Sequence, residues 1–146
     1  MTTTYSGRWD YSKTPKGKVY GNTASYEAAE KHLAGLHVGD FGCGTTAFRN
    51  YHDGAYTGID GSPGHADIVA GLTEYQGEYE GVLVRHILDH QPDHWPVILA
   101  NALNSATVRV VLVTFIADMD QTKIIAWSKP DPEGRWPRGI PNVGFA

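Results

Sequence analysis

An α/β fold, a parallel sheet flanked by helices, is what this 146-residue sequence predicts. Three observations predict it. Short apolar runs alternate with segments of helical spacing, the signature of strand–helix–strand units. The clearest run, Thr107–Phe115, is nearly continuous in valine and leucine, as in a strand covered on both faces. Two of the runs end in turn-forming residues, Gly42-Cys43-Gly44 and Asp60-Gly61-Ser62-Pro63-Gly64. Ligand loops of parallel sheets occupy that place, at the carboxyl ends of the strands.

Residues 1–21 are polar and rich in turn formers, and read as an N-terminal arm. Residues 22–146 read as one domain, a size that buries a real core. Its first helix is expected over Thr23–Leu36, where Tyr26, Ala29, Leu33 and Leu36 recur at helical spacing. Strands are expected at His37–Phe41, Ala55–Ile59, Ala66–Val69 and Gly81–Val84, and a short helix at Thr46–Tyr51. A second long helix starts near Asp93, with Pro96 in its first turn and Trp95, Ile98, Leu99, Ala102 and Leu103 as its buried stripe. Trp127, Trp136 and the prolines at 130, 132, 137 and 141 read as an irregular segment that closes a pocket, meets a second subunit or lies on the surface.

Composition excludes several functions. Hydrophobic residues make up 41% and charged residues 19%, which is globular. Net charge is −4, and eight acidic residues between Asp53 and Asp93 face Arg85 alone, so duplex nucleic acid is disfavoured as a partner. The first twenty residues invert this, with Arg8, Lys13, Lys16 and Lys18 against Asp10, interleaved with Tyr5, Trp9, Tyr11 and Tyr20. Such an arm suits a phosphate or a single strand, but a solvated tail with a few docked rings is the simpler reading. One cysteine excludes a disulfide framework. No apolar run approaches a membrane span and no signal-peptide pattern begins the chain, so a cytoplasmic protein is expected.

The stretch Asp40-Phe41-Gly42-Cys43-Gly44-Thr45-Thr46-Ala47 carries the chemistry. Glycines at 42 and 44 let backbone approach a ligand, and the following helix offers free N–H groups. Alone this G-x-G-x-x-A pattern is weak. Asp60 strengthens it. It ends the next strand, 18 residues after Gly42, where a carboxylate accepts the hydroxyls of a ribose. A strand-end turn aspartate is the bland alternative. Loop and acid together point to a nucleoside ligand.

Asp40 to Thr45 resembles the first motif of class I S-adenosylmethionine-dependent methyltransferases, in which an acid precedes G-C-G-T. Tyr56–Gly64, "YTGIDGSPG", is similar to their second motif, and Glu78–Leu103 to their fourth strand, the L-E-H segment and the next helix. "YGNTASYEAAEKHL" resembles the entering helix of a phage and metagenome subset. The resemblance spans Tyr20 to Phe115 and implies a Rossmann-like sheet, shortened from the usual seven strands because the chain ends at "IPNVGFA". It implies S-adenosylmethionine as cofactor. Asp40 would orient the methionyl amino group, and Gly42, Cys43, Gly44 and Thr45 would pass under the methionyl and ribose portion. Asp60 would bind the ribose, with Gly61 and Ser62 beside the adenine. Gly71 and Leu72 would lie at the adenine edge. Val84, Arg85 and His86 would face the sulfonium and the acceptor.

Three residues depart from the family pattern. Thr46 stands where its third glycine is usual, Gly71 where an acid often reads the adenine amino group, and Glu80 where aspartate is common.

Arg85 and His86 are the catalytic candidates, His86 as a base near neutral pH or as a histidine bonded to backbone. Cys43 reads as a space-filling residue rather than a nucleophile. His86, His90 and His94 would share a helix face and bind a metal only if Pro92 did not break the helix, so no metal is expected. The resulting expectation is methyl transfer to a small-molecule acceptor. A non-catalytic module that binds the cofactor for a partner is the alternative, and a nicotinamide-dependent oxidoreductase the next. A sheet edge beside Thr107–Phe115 makes a homodimer the expected assembly.

Overall fold

β-branched and aromatic residues form the strands of one sheet: β1 (Val38–Phe41), β2 (Tyr56–Asp60), β3 (Ile68–Val69), β4 (Tyr79–Arg85) and β5 (Ala106–Val113). Their spatial order is β3-β2-β1-β4-β5, and every pair is parallel. The protein is described here by a computed structural model, which covers residues 9–19, 23–114, 119–129 and 140–145. This mostly parallel α/β arrangement is Rossmann-like, with five strands among the described residues, in keeping with the shortened sheet expected.

Alternation along β4 divides the core between the two faces of the sheet. Leu83 packs with Val38 under helix α1 (Ala24–Leu33), through Tyr26, Ala29 and Leu33. Val82 and Val84 pack with Phe41 and Ile59 under helix α2 (Trp95–Ser105), through Ile98 and Ala102. The strand order reverses at β1, which lies between β2 and β4. Ligands of open parallel sheets bind at such a switch point.

Several elements differ from the sequence reading. The first helix stops at Leu33, because the chain turns at Gly35 with φ +75° and Leu36 packs from outside the helix. The expected helix after the glycine loop is a single 3-10 turn, Ala47–Asn50. It is too short to present a helix N-terminus to a ligand. On α2 the buried face runs through Ile98, Asn101, Ala102 and Ser105, while Leu103 is 56% exposed. The face is rotated because Asn101 is bonded from both ends. Its Nδ2 donates to the Leu72 carbonyl and its Oδ1 accepts from Gln76 Nε2, each at 2.9 Å.

β5 is not covered on both faces. Val108 and Leu112 are exposed, since among the described residues β5 pairs with β4 alone and forms the edge. Phe115 lies outside the described residues, as do Trp136 and the prolines at 130, 132 and 137. Where an irregular segment was expected, β6 (Lys123–Ser128) and β7 (Ile140–Gly144) pair antiparallel. Ile124, Ile125 and Trp127 supply β propensity, and Pro141 is tolerated because a two-stranded ladder is all edge. Among the described residues no helix is long and apolar enough to cross a membrane.

Candidate functional site

Parallel pairing sets Asp40 directly beside Gly58 of β2 and Leu83 of β4. All three face the α1 side, just below the carboxyl edge of the sheet. Above them opens a cavity of about 300 Å³. It is bordered by Asp40, Gly42, Cys43, Thr45, Asp60, Gly61, Ser62, Leu72, Arg85 and His86, so ten of the sequence-derived candidates meet in one place.

The glycine loop is built on close approach. Gly42 has φ +80°, and a Cβ there would stand 2.1 Å from Ile87 Cδ1. Bare backbone therefore lets Ile87 lie against the loop. The amides of Gly42 and Cys43 both donate to the Ile59 carbonyl, at 2.8 and 3.1 Å. Thr46 holds a left-handed conformation, φ 64°, without the glycine that usually supplies it. Asp60 completes the loop. Its Oδ2 accepts from the Gly44 amide at 3.0 Å and its Oδ1 from the Ser62 amide at 2.8 Å. Burial raises the Asp60 carboxyl above its ordinary range, and these backbone donors oppose that shift. Gly44 takes part through this amide rather than through the cavity wall.

Asp40 is 4% exposed, and its Oδ2 accepts the Tyr56 hydroxyl at 2.6 Å. Burial pushes its pKa up to about 7, against the stabilising Tyr56 hydroxyl, with Asp60 adding repulsion and Arg85 attraction. Cys43 is buried, and its thiol is raised far above the ordinary value by burial and by the carboxylates of Asp40, Asp60 and Asp67. It is a neutral packing residue, not a thiolate.

Arg85 extends from the end of β4 over the Tyr26 ring, 3.9 Å from its centroid, and Nε donates to Ser25 Oγ at 2.8 Å. His86 follows in a left-handed conformation, φ 52°, with its amide bonded to the Val113 carbonyl at 2.7 Å. Burial and then the Arg85 charge lower its pKa, with Asp89 opposing, so the imidazole is neutral at neutral pH. Among the described residues no three metal-ligating side chains gather. His86, His90 and His94 fall on a strand end, a 3-10 turn and a helix cap, so they do not share a helix face.

Two candidates sit elsewhere. Val84 belongs to the core on the α2 face, and the cavity-facing neighbours on β4 are Leu83 and Arg85. The strand period of two dictates this, and "the end of the strand" ignored it. Gly71 is a turn residue whose carbonyl accepts the Glu74 amide, and Leu72 and Thr73 border the cavity instead. Glu80 likewise serves the scaffold, its Oε1 accepting the His37 amide at 2.9 Å.

The sequence reading missed the roof. Trp9 and Tyr11 border the cavity, so the described part of the arm is not a free tail. It is laced to the loop beneath. The Gly17 amide donates to the Thr45 carbonyl at 2.6 Å, Thr45 Oγ1 to the Lys18 carbonyl at 2.7 Å, and Asn50 Nδ2 to the Gly17 carbonyl at 3.1 Å. The Trp9 ring leans on His90, whose Nδ1 is 3.0 Å from the Pro141 carbonyl of β7. Arm and hairpin thus meet over the site. The aromatic spacing of the arm was the available signal, but nothing local tied it to the loop.

No protein-family model and no curated protein sequence matches this chain. Solved structures do. The chain is similar to a Burkholderia thailandensis 1,6-didemethyltoxoflavin-N1-methyltransferase with bound 1,6-didemethyltoxoflavin and S-adenosylhomocysteine. The TM-score is 0.59 at 20% identity, over 84% of this chain. It is also similar to DhpI in a SAM–HEP complex, with TM-score 0.57 at 15% identity and again over 84% of this chain. The match covers 60% of the first structure and 70% of the second, so the chain spans less than two thirds of the first one's length. At these identities the shared property is the fold, and the chain has the Rossmann-like α/β fold found in those two structures.

Proposed function

We propose that the protein is an S-adenosylmethionine-dependent methyltransferase acting on a small molecule. One observation carries the reading. Asp60, bonded to the Gly44 and Ser62 amides, and Asp40, almost fully buried on the next strand, border a single cavity at the switch point. The residues fit the cofactor. Gly42 borders the cavity without a side chain, two carboxylates on neighbouring strands offer acceptors for an ammonium and a ribose, and the thiol between them is uncharged.

In this reading Asp40 takes the methionyl ammonium, and Gly42, Cys43, Gly44 and Thr45 lie beneath the methionyl and ribose portion. Asp60 takes the ribose hydroxyls, with Gly61 and Ser62 beside the adenine. Leu72 meets the adenine edge. The bound cofactor supplies an electrophilic methyl group. Arg85 and His86 border the same space from β4. His86 is in the form that takes a proton from an acceptor O–H or N–H, and Arg85 is held in place by Tyr26 and Ser25. Much of the rate is then positioning.

The small-molecule ligand of the Burkholderia thailandensis neighbour supports the acceptor class. Net charge −4 argues against nucleic acid. The entering-helix sequence supports the phage and metagenome subset, and the lack of a long apolar helix among the described residues agrees with a cytoplasmic setting. Calorimetry with S-adenosylhomocysteine tests cofactor binding, and labelled-methyl transfer screened over small-molecule acceptors tests turnover. Tight NADH binding with S-adenosylhomocysteine ignored would reverse the reading, and binding without turnover on any acceptor would favour the non-catalytic module.

A further inference from the structure

Tyr56 opens β2, four residues before Asp60, and reaches the site through its hydroxyl on Asp40. Its surroundings are specific. Tyr56 and Gly58 share one face of β2, and Gly58 is paired with Asp40 across the ladder. A Cβ on Gly58 would stand 2.9 Å from Cys43 Sγ and 3.2 Å from the Tyr56 hydroxyl. The missing side chain is thus what lets the phenol run forward along the strand and meet the carboxylate. The ring is fixed from the other side by Arg49, whose guanidinium lies 4.7 Å from its centroid and is bonded to Asp67 at 2.7 Å. Asp67 Oδ2 also accepts the Gly58 amide at 2.8 Å, so the support returns to the same glycine.

We propose that Tyr56 is a positioning residue for ligand recognition: it holds Asp40 by Oδ2 and leaves Oδ1 as the acceptor for a cationic amino group in the cavity. Among the described residues Oδ1 takes no hydrogen bond, and Asp40 borders the cavity. Burial and the nearby carboxylate push the phenol far above its ordinary pKa, so it remains a donor at every working pH. The groups facing Asp40 are Tyr56 and Asp60 from β2, Arg85 from β4, Cys43 from the loop and the more distant His52. Of these Tyr56 alone donates to it. The carboxyl titrates at about 7 in the free protein. A bound ammonium favours the ionised form, so affinity for an amino-bearing ligand rises as pH climbs through that value. It falls again only at higher pH, where the ligand's own amino group loses its proton.

The inference rests on the proposed cofactor, and two probes separate the claims. S-adenosylhomocysteine carries the amino acid, and 5′-methylthioadenosine lacks it. Calorimetry on the whole chain is expected to show Tyr56→Phe weakening S-adenosylhomocysteine about tenfold at neutral pH while methylthioadenosine is unchanged. The ratio of the two affinities in the wild type should rise with pH through about 7, and that midpoint should move up in Tyr56→Phe. Equal loss for both probes, or a wild-type ratio flat with pH, overturns the role of Tyr56 and leaves the cofactor reading standing. A wild type that binds neither probe overturns both. A flat wild-type pH series overturns the proposal even if the variant does not fold.

Discussion

Oδ2 of Asp60 accepts the Gly44 amide at 3.0 Å, so the last residue of β2 holds the loop that follows β1. The same carboxylate accepts the Ser62 amide at 2.8 Å and thereby shapes its own turn. One side chain sets the relative position of two ligand loops before any ligand arrives. Such preorganisation lowers the ordering cost of binding.

Asp60→Ala is therefore expected to lose S-adenosylhomocysteine affinity by more than about tenfold, and to lower stability by about 1–3 kcal/mol through two unpaired amides. Asp60→Asn keeps acceptor capacity on one oxygen and should fall between. Calorimetry and thermal melts check both. Unchanged affinity in Asp60→Ala would remove the ribose role.

Asp40 makes the free protein pH-sensitive. Its carboxyl is raised from 3.8 to about 7, so between these values the folded state binds more protons than the unfolded chain. Its contribution to stability is full below the lower value and is lost as pH rises through the upper one. Asp40→Asn removes a buried charge, and at pH 8 should stabilise the protein by on the order of 2–4 kcal/mol. At pH 4 it should change little, and it should lose affinity for S-adenosylhomocysteine. Melts at the two pH values test the sign.

Thr46 pays a conformational cost where glycine would not. Left-handed backbone costs an L-residue about 1–2 kcal/mol, more so for a β-branched one. The side chain is buried, and its Oγ1 donates to the Thr45 carbonyl. Relief and loss nearly cancel, so Thr46→Gly should leave the melting temperature within about 3 °C. A fall of about 10 °C would mean that the threonine side chain itself holds the turn.

His52 ties the end of the 3-10 turn to α1 and to the approach to β1. Its Nδ1 is 2.8 Å from Glu30 Oε2 and its Nε2 2.8 Å from the Leu36 carbonyl, with the ring fully buried. His52→Ala leaves a cavity and two unpaired acceptors, and should cost about 3 kcal/mol in denaturant melts. A cost below about 1 kcal/mol would place those acceptors in contact with water.

The homodimer remains a proposal centred on the edge of β5, where Val108 is 54% and Leu112 43% exposed. An uncovered apolar edge recruits another strand. Sedimentation should find a dimer that Val108→Lys converts to monomer. A wild type that stays monomeric across concentrations would refute it.

What could be read locally was the alternation of strands and helices, the glycine loop, and Asp60 closing the next strand. Periodicity and turn chemistry act within a few residues, and the chain displays them directly. The same local view misassigned Val84, because facing depends on pairing register, and it overran α1 at Gly35. It took the stretch from Trp127 to Pro141 for irregular chain, although Trp127 and Pro141 pair with each other, because two strands so far apart in sequence do not read as a hairpin. Tertiary structure alone decided that the arm roofs the cavity, that Asn101 rotates α2, and that Tyr56 reaches Asp40 through the space Gly58 leaves. Each of those contacts joins separate elements, and only the packed sheet brings their partners within hydrogen-bonding distance.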